Sequence, residues 1–285
     1  MKRKIPILFP ILIFITLMSS CATRSNQLVK FKQSKYYPDG ISTEQYSENV
    51  ISFTSNEALV FISRTTGWEY QAGHVFERQH SKFVLVESPE LLDSIYNGAI
   101  SPSGDKIIFC EKRNKQDVIF LLSKQNNKWT KLTNLSNGSG IYGGYFYWLN
   151  DREIYFYTPD NHGDIVCGIL EGDSLIINYH LMELNTGSAT EFSPFVDEDK
   201  QFMIFTRYLE GDVEQQGFFI SFNRSKDQKT KWSVPQKIDF LPYGWSAYIN
   251  KSEKLFLYSD GEDIMAMPLK EFEAQINKMR SANAD

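Results

Sequence analysis

Ser101-Pro102-Ser103-Gly104-Asp105-Lys106-Ile107-Ile108-Phe109 is the stretch on which the fold turns. A Gly-containing polar turn, a charged residue and an apolar run ending on Phe read as a strand entered from a tight turn. The same pattern returns at 56–61, 151–156, 200–205 and 252–257. Its closing residues Phe61, Phe109, Phe156, Phe205 and Leu257 stand 48, 47, 49 and 52 residues apart. A strand-built unit with a period of ~40–50 residues is the mark of propeller blades.

Outward from these anchors the units stay alike. A second β run begins with Asp in three of them, at Asp117, Asp164 and Asp263. An Asp there is expected to accept backbone N–H groups and close its turn. Two units then carry a tryptophan strand: Trp129, Leu132 and Leu135 match Trp232, Pro235 and Ile238 at offsets of +3 and +6. Each unit therefore reads as four short strands. One such sheet cannot bury both its faces, whereas stacking around an axis does. The stretch from Leu28 to Tyr36 is predicted to supply the closing strand of the last blade. Leu269, Phe272, Ile276 and Met279 fall at helical spacing, which predicts one short C-terminal helix. The fold class is all-β: a β-propeller of five recognisable four-stranded blades, with five- and six-bladed rings both open.

The Ser101–Phe109 stretch resembles the Ser-Pro-Asp-Gly repeat of TolB-type, WD-like β-propellers. Phe192-Ser193-Pro194-Phe195-Val196-Asp197-Glu198-Asp199 is similar to a degenerate copy of it, and Tyr37-Pro38-Asp39-Gly40-Ile41-Ser42-Thr43 resembles the lead-in before its first blade. The third and fourth strands of that family are matched by 217–222 and by Lys231-Trp232-Ser233. The resemblance covers roughly residues 36–270. It implies six blades as the usual number, export or lipid anchoring in bacteria, and protein–protein contact at the cell envelope in the periplasm. Function does not transfer by fold alone.

The chain has 285 residues, 42% of them hydrophobic and 23% charged, a globular composition. A net charge of −5 argues against a nucleic-acid partner. Three cysteines cannot build a disulfide framework. Lys2, Arg3 and Lys4 precede the apolar run from Ile5 to Leu17. That run is too short to span a bilayer and has the plan of a secretory signal. Leu17-Met18-Ser19-Ser20-Cys21 resembles a bacterial lipobox, with Met18 departing from the usual Leu, Val or Ile. The resemblance implies lipidation of Cys21, and Ala22 after it favours outer-membrane retention. The domain plan is a signal peptide at 1–20, a lipidated tether at 21–35 and the propeller at 36–285.

Chemistry is sparse. No Gly-x-Ser-x-Gly elbow, zinc motif or phosphate loop occurs, so no catalytic residue, metal or cofactor is assigned. His74 and His80 are six residues apart, which puts them on one face if their strand is unbroken. The turns at 160–164 and 260–263 carry oxygen-rich side chains but lack the length of a dedicated calcium loop. Cys110 and Cys167 belong to different blades and read as buried core thiols. Carboxylate pairs such as Glu111 with Asp117, or Asp197 with Asp199, would serve an alternative reading as a glycan- or peptide-cleaving propeller enzyme. The main reading is a non-catalytic, membrane-anchored lipoprotein of the envelope, facing the periplasm, that binds a protein, peptide or glycan.

The binding surface is expected among aromatics that recur 13–15 residues before the anchors: Tyr46, Tyr96, Tyr142, Phe192 and Tyr243, with Tyr145 and Trp245 nearby. These stretches join one blade to the next, so they share one face of a propeller. Tyr142, Tyr145, Tyr243, Trp245 and Tyr96 are the candidate binding residues. The competing reading is that the rings wedge neighbouring blades together.

Overall fold

The computed structural model describes residues 34–36, 40–67, 70–87, 89–225 and 231–281. Residues 1–33, which include the expected signal segment, Cys21 and most of the expected closing strand, and residues 37–39 lie outside them. The ring has five blades, each a four-stranded antiparallel sheet. The first element among the described residues is a two-residue strand, β1 (Ser34–Lys35). Blade one is β2 (Ser47–Phe53), β3 (Leu59–Gly67), β4 (Tyr70–Gln79) and β5 (Lys82–Glu87). Blade two is β6 (Tyr96–Ile100), β7 (Lys106–Arg113), β8 (Gln116–Gln125) and β9 (Lys128–Asn134). Blade three is β10 (Gly144–Trp148), β11 (Glu153–Thr158), β12 (Asp164–Glu171) and β13 (Ser174–His180). Blade four is β14 (Thr190–Val196), β15 (Phe202–Tyr208), β16 (Gly217–Phe222) and β17 (Gln236–Lys237). Blade five is β18 (Trp245–Asn250), β19 (Leu255–Ser259) and β20 (Ile264–Pro268), closed on its outer side by β1. Ser34 pairs with Ala266 and Lys35 with Met265, so the N-terminal strand completes the last blade as expected.

Five apolar clusters fill the five gaps between blades. All five anchors are buried in them, each in the second strand of its blade. Their facing differs. Phe109, Phe156 and Phe205 pack toward the preceding blade, whereas Phe61 and Leu257 pack toward the following one. The true counterpart of Phe205 in blade five is Tyr258, one residue beyond Leu257, and it is fully buried against blade four. A one-residue slip exchanges the faces of a strand. It leaves no polar residue inside here because second strands are covered on both sides.

The turn aspartates also act differently from expectation. Asp117 holds Lys112 at 3.0 Å, Asp164 accepts from Asn161, and Asp263 pairs with Lys35. In blade five it is Asp260, three residues earlier, whose Oδ1 accepts the backbone N–H groups of Glu262 and Asp263. His74 and His80 do not share a strand, because β4 ends at Gln79 and His80 occupies the turn at φ 59°. Cys110 and Cys167 are buried free thiols. The helix α1 (Leu269–Ser281) buries Phe272 and Ile276, and the Phe272 ring stacks on Phe256 at 3.9 Å. No helix among the described residues is long and apolar enough to cross a membrane.

The face where inner strands end is laced blade to blade. Ser55 N–H donates to the Pro102 carbonyl, and Ser103 N–H to Asp151 Oδ1. Lys200 pairs with Glu153 and Lys251 with Glu198, and the N–H groups of Lys251 and Ser252 donate to the Glu57 carboxylate. Each of the five junctions thus carries a polar link besides its apolar cluster.

Two buried Glu–Arg pairs join the first and second strands of blades one and four. Glu191 accepts from Thr186 N–H, Thr186 Oγ1 and Arg207 Nε, the last at 2.7 Å. Glu48 faces Arg64 Nε at 3.3 Å, and neither carboxylate oxygen accepts a well-formed hydrogen bond. Burial raises the Glu48 carboxyl from 4.5 to about 7, with Arg64 opposing the rise. Between those values the folded chain holds a proton that the unfolded chain has lost, so stability falls as pH rises through that window. Urea midpoints of the wild type and Glu48→Gln should diverge across it, with the steeper decline in the wild type. Parallel midpoints would show that Glu48 ionises normally.

Candidate binding face

Every inner strand carries an irregularity near its start. In β2 the pairing skips Asn49; in β6, β10, β14 and β18 one extra residue intrudes at Asn97-Gly98, Tyr145-Phe146, Ser193-Pro194 and Ser246-Ala247. Asn97, Tyr145, Ser193 and Ser246 all take positive φ, from 49° to 54°. Asn and Ser tolerate that conformation locally, but for a residue as bulky as Tyr it is uncommon. A bulge re-aims a side chain, and bulges concentrate beside functional sites. Here the five bulges set one hydrogen-bonding residue per blade around the axis.

These residues interlock across blades. Ser246 N–H donates to Ser193 Oγ at 2.7 Å, and the Trp245 indole N–H donates to the Asn49 carbonyl at 3.0 Å. Tyr145 is hydrogen-bonded to Asn97, and burial drives its hydroxyl well above the usual phenol range, so it stays neutral. The spacing Asn49, Asn97, Tyr145, Ser193 is 48 residues at every step. That constancy was the signal in the sequence for this ring. An unlike set of residue types concealed it.

Two cavities meet at Tyr145. One is the axial channel, about 320 Å³, running from the bulge residues past the inner strands to Pro102 and Glu198. Its wall carries Phe53, Tyr147 and Tyr248, with the Phe53 and Tyr248 rings 4.7 Å apart. Phe195 backs this wall, 5.1 Å from the Tyr147 ring. The other cavity, about 400 Å³, opens on the face where inner strands begin. Tyr96, Asn97, Lys112, Asp117, Tyr157 and Phe192 surround it together with Tyr145. Tyr145 lies edge-on to Tyr157 at 6.3 Å and 4.8 Å from Phe192. Aromatic faces beside an amide, an ammonium and a carboxylate suit ligands with both apolar and hydrogen-bonding surface.

The structure brings Tyr96 and Tyr145 to this cavity. Tyr243 and Trp245 form a second group with Tyr208, Tyr243 being exposed and 6.3 Å from Trp245. Tyr142 is apart from both: half-buried, it packs on the cluster between blades one and two, and bridges to Val118. Tyr46 lies under the Arg64 guanidinium. Of the carboxylates considered for chemistry, Glu111 is held by Arg113 at 2.6 Å and Asp117 by Lys112. Asp197 and Asp199 belong to a turn on the opposite face, where Asp197 accepts from Gln201 N–H.

No family model matches the chain, and no curated protein does. Solved structures do. A thermostable family-43 glycoside hydrolase superposes with a TM-score of 0.50 at 9% identity, over 81% of this chain and 91% of that one. TolB from Acinetobacter baumannii gives 0.47 at 12% identity, over 78% of this chain and 54% of its own. A protein assigned as TolB from Agrobacterium tumefaciens gives 0.45 at 16%, over 81% and 77%. The chain thus spans about half the length of the Acinetobacter protein. At such identities the likeness is one of fold alone.

Proposed function

We propose that this chain is a non-catalytic binding module of the bacterial envelope, anchored through lipid on Cys21 and facing the periplasm from the outer membrane. Its partner is a protein, peptide or glycan, taken up on the face where inner strands begin. The observation that carries this reading is Tyr145, kept at positive φ by the bulge in β10, walling both cavities and flanked by Tyr157 and Phe192. The equivalent bulges of the other blades carry Asn or Ser, which take that conformation with less strain than an aromatic. A site that must present a ring gains from bearing that strain.

Tyr145→Asn keeps a residue type that tolerates positive φ and removes the ring. Combined with Tyr243→Ala, it should lower the melting temperature by only a few degrees. It should weaken capture of partners from envelope extracts by at least about tenfold, the loss of one good hot spot. Unchanged capture would sink the proposed face. A deep fall in melting temperature would assign the rings to wedging blades.

The anchor has its own test. The protein should incorporate labelled palmitate and partition into detergent, and Cys21→Ala should abolish both. Labelling that survives this substitution would refute the lipobox reading.

A further inference from the structure

The outer strands of the blades differ in what they show to solvent. β5 exposes Val84, Leu85 and Val86 in succession, at 41%, 50% and 46%, and Leu91 follows at 41%. Among the described residues no other strand exposes more than one large apolar side chain. Contiguous exposed apolar surface marks a place where something else is meant to lie.

The position of this strip bears on what covers it. The N-terminal strand β1 leaves the propeller at the junction of blades five and one. Tyr36, directly after β1, shares an apolar cluster with Phe83 of β5. At Gly40 the chain passes so close to β5 that a Cβ there would lie 1.9 Å from the Phe83 carbonyl oxygen. Ser34, two residues before Tyr36, is therefore held at the same junction of blades five and one, and the tether to Cys21 starts from there. The thirteen peptide units from Cys21 to Ser34 reach at most about 45 Å when fully extended.

We propose that Val84, Leu85, Val86 and Leu91 form a lipid-contacting rim, with the bilayer as occupant; this rests on the reading of Cys21 as acylated. The acyl chains hold the protein at the membrane, and the rim fixes which side faces it. Apolar side chains inserted at the boundary between headgroups and acyl chains add to anchoring in proportion to the area they bury. With blade one against the membrane, the propeller axis lies along the bilayer surface. Both propeller faces then stay open to the periplasm.

The test uses the full chain in vesicles of phosphatidylethanolamine and phosphatidylglycerol. An environment-sensitive thiol probe is placed by Leu85→Cys or, as the reference, by Ile176→Cys on the outer strand of blade three. Cys110 and Cys167 are buried and escape the label. The probe at 85 should emit to the blue of the probe at 176 and lose quenching by aqueous iodide. Adding Val84→Glu and Val86→Glu, both at exposed positions, should restore quenching. Equal quenching at the two sites overturns the rim. Protection at 85 that grows with the protein-to-lipid ratio assigns the strip to a second copy and overturns it as well. Uptake of the probe by Cys21, with failure to float with vesicles, overturns the anchor and the rim together.

Discussion

Phe156→Ala should lower the unfolding free energy by about 3–5 kcal/mol, the usual range for an emptied aromatic site in a core. The ring is fully buried between blades two and three and lies 5.8 Å from Phe146. Two glycines bracket it: a Cβ on Gly168 would come within 2.8 Å of its Cε1, and one on Gly143 within 3.1 Å of its Cδ2. Backbone on both sides cannot collapse into the space as a side chain would, which puts the loss toward the upper part of the range. For a chain of this size each kcal/mol is worth roughly 2–4 °C, so the melting temperature should drop by roughly 6–20 °C. Phe109→Ala and Phe205→Ala, also fully buried between blades, should behave alike. The control is Leu132→Ala, at a site 38% exposed, where a change of only a degree or two is expected. A Phe156→Ala protein that melts like the control would mean that this interface is not packed as described.

Arg207→Leu is expected to be comparably severe, by about 3–5 kcal/mol, for an electrostatic reason. Its guanidinium donates to Glu191 Oε1, Gln215 Oε1 and the Leu184 carbonyl, and stacks 4.5 Å from the Phe219 ring centroid. Removing it leaves Glu191, fully buried, without its counter-charge. Breaking one half of a buried pair costs far more than replacing both halves. Glu191→Leu combined with Arg207→Leu should therefore recover most of the loss in urea unfolding. A double variant no more stable than Arg207→Leu alone would count against this account. The Glu48–Arg64 pair of blade one has looser geometry, and its removal should matter less.

Much of the architecture was legible because the anchor strands repeat both in spacing and in chemistry. Phe61, Phe109, Phe156 and Phe205 are the same residue in the same strand of consecutive blades. Leu269, Phe272, Ile276 and Met279 likewise announced α1 by their helical spacing. Facing was less legible. Second strands are apolar on both sides, so nothing in the sequence of 252–257 tells Leu257 from its neighbour Tyr258. The bulge ring of the candidate face was legible only in part, for a related reason. Tyr142 belongs to the aromatic series by type, yet its ring packs on the core between blades. The equivalent positions are bulge residues, where geometry is shared and chemistry is not: Asn49, Asn97, Tyr145, Ser193 and Ser246. An eye for residue type passes over such a series. Pocket walls such as Phe53 and Tyr248 come together only through ring closure, which no local pattern reveals.

The placement of β1 sets the order in which the molecule can be assembled. Ser34 is made early and its partner Ala266 very late, 232 residues apart in the chain. Blades one to four are each built from consecutive strands and can pair as soon as their own residues are available. Blade five takes its outer strand from the other end of the propeller. Contacts this distant in sequence slow folding, although the entropy of closing a longer loop grows only logarithmically. Until β20 is made, β1 has no partner and the ring has no seal. A nascent chain truncated before blade five leaves β1 without a partner. Completion of the circle thus reports that all five blades have been made.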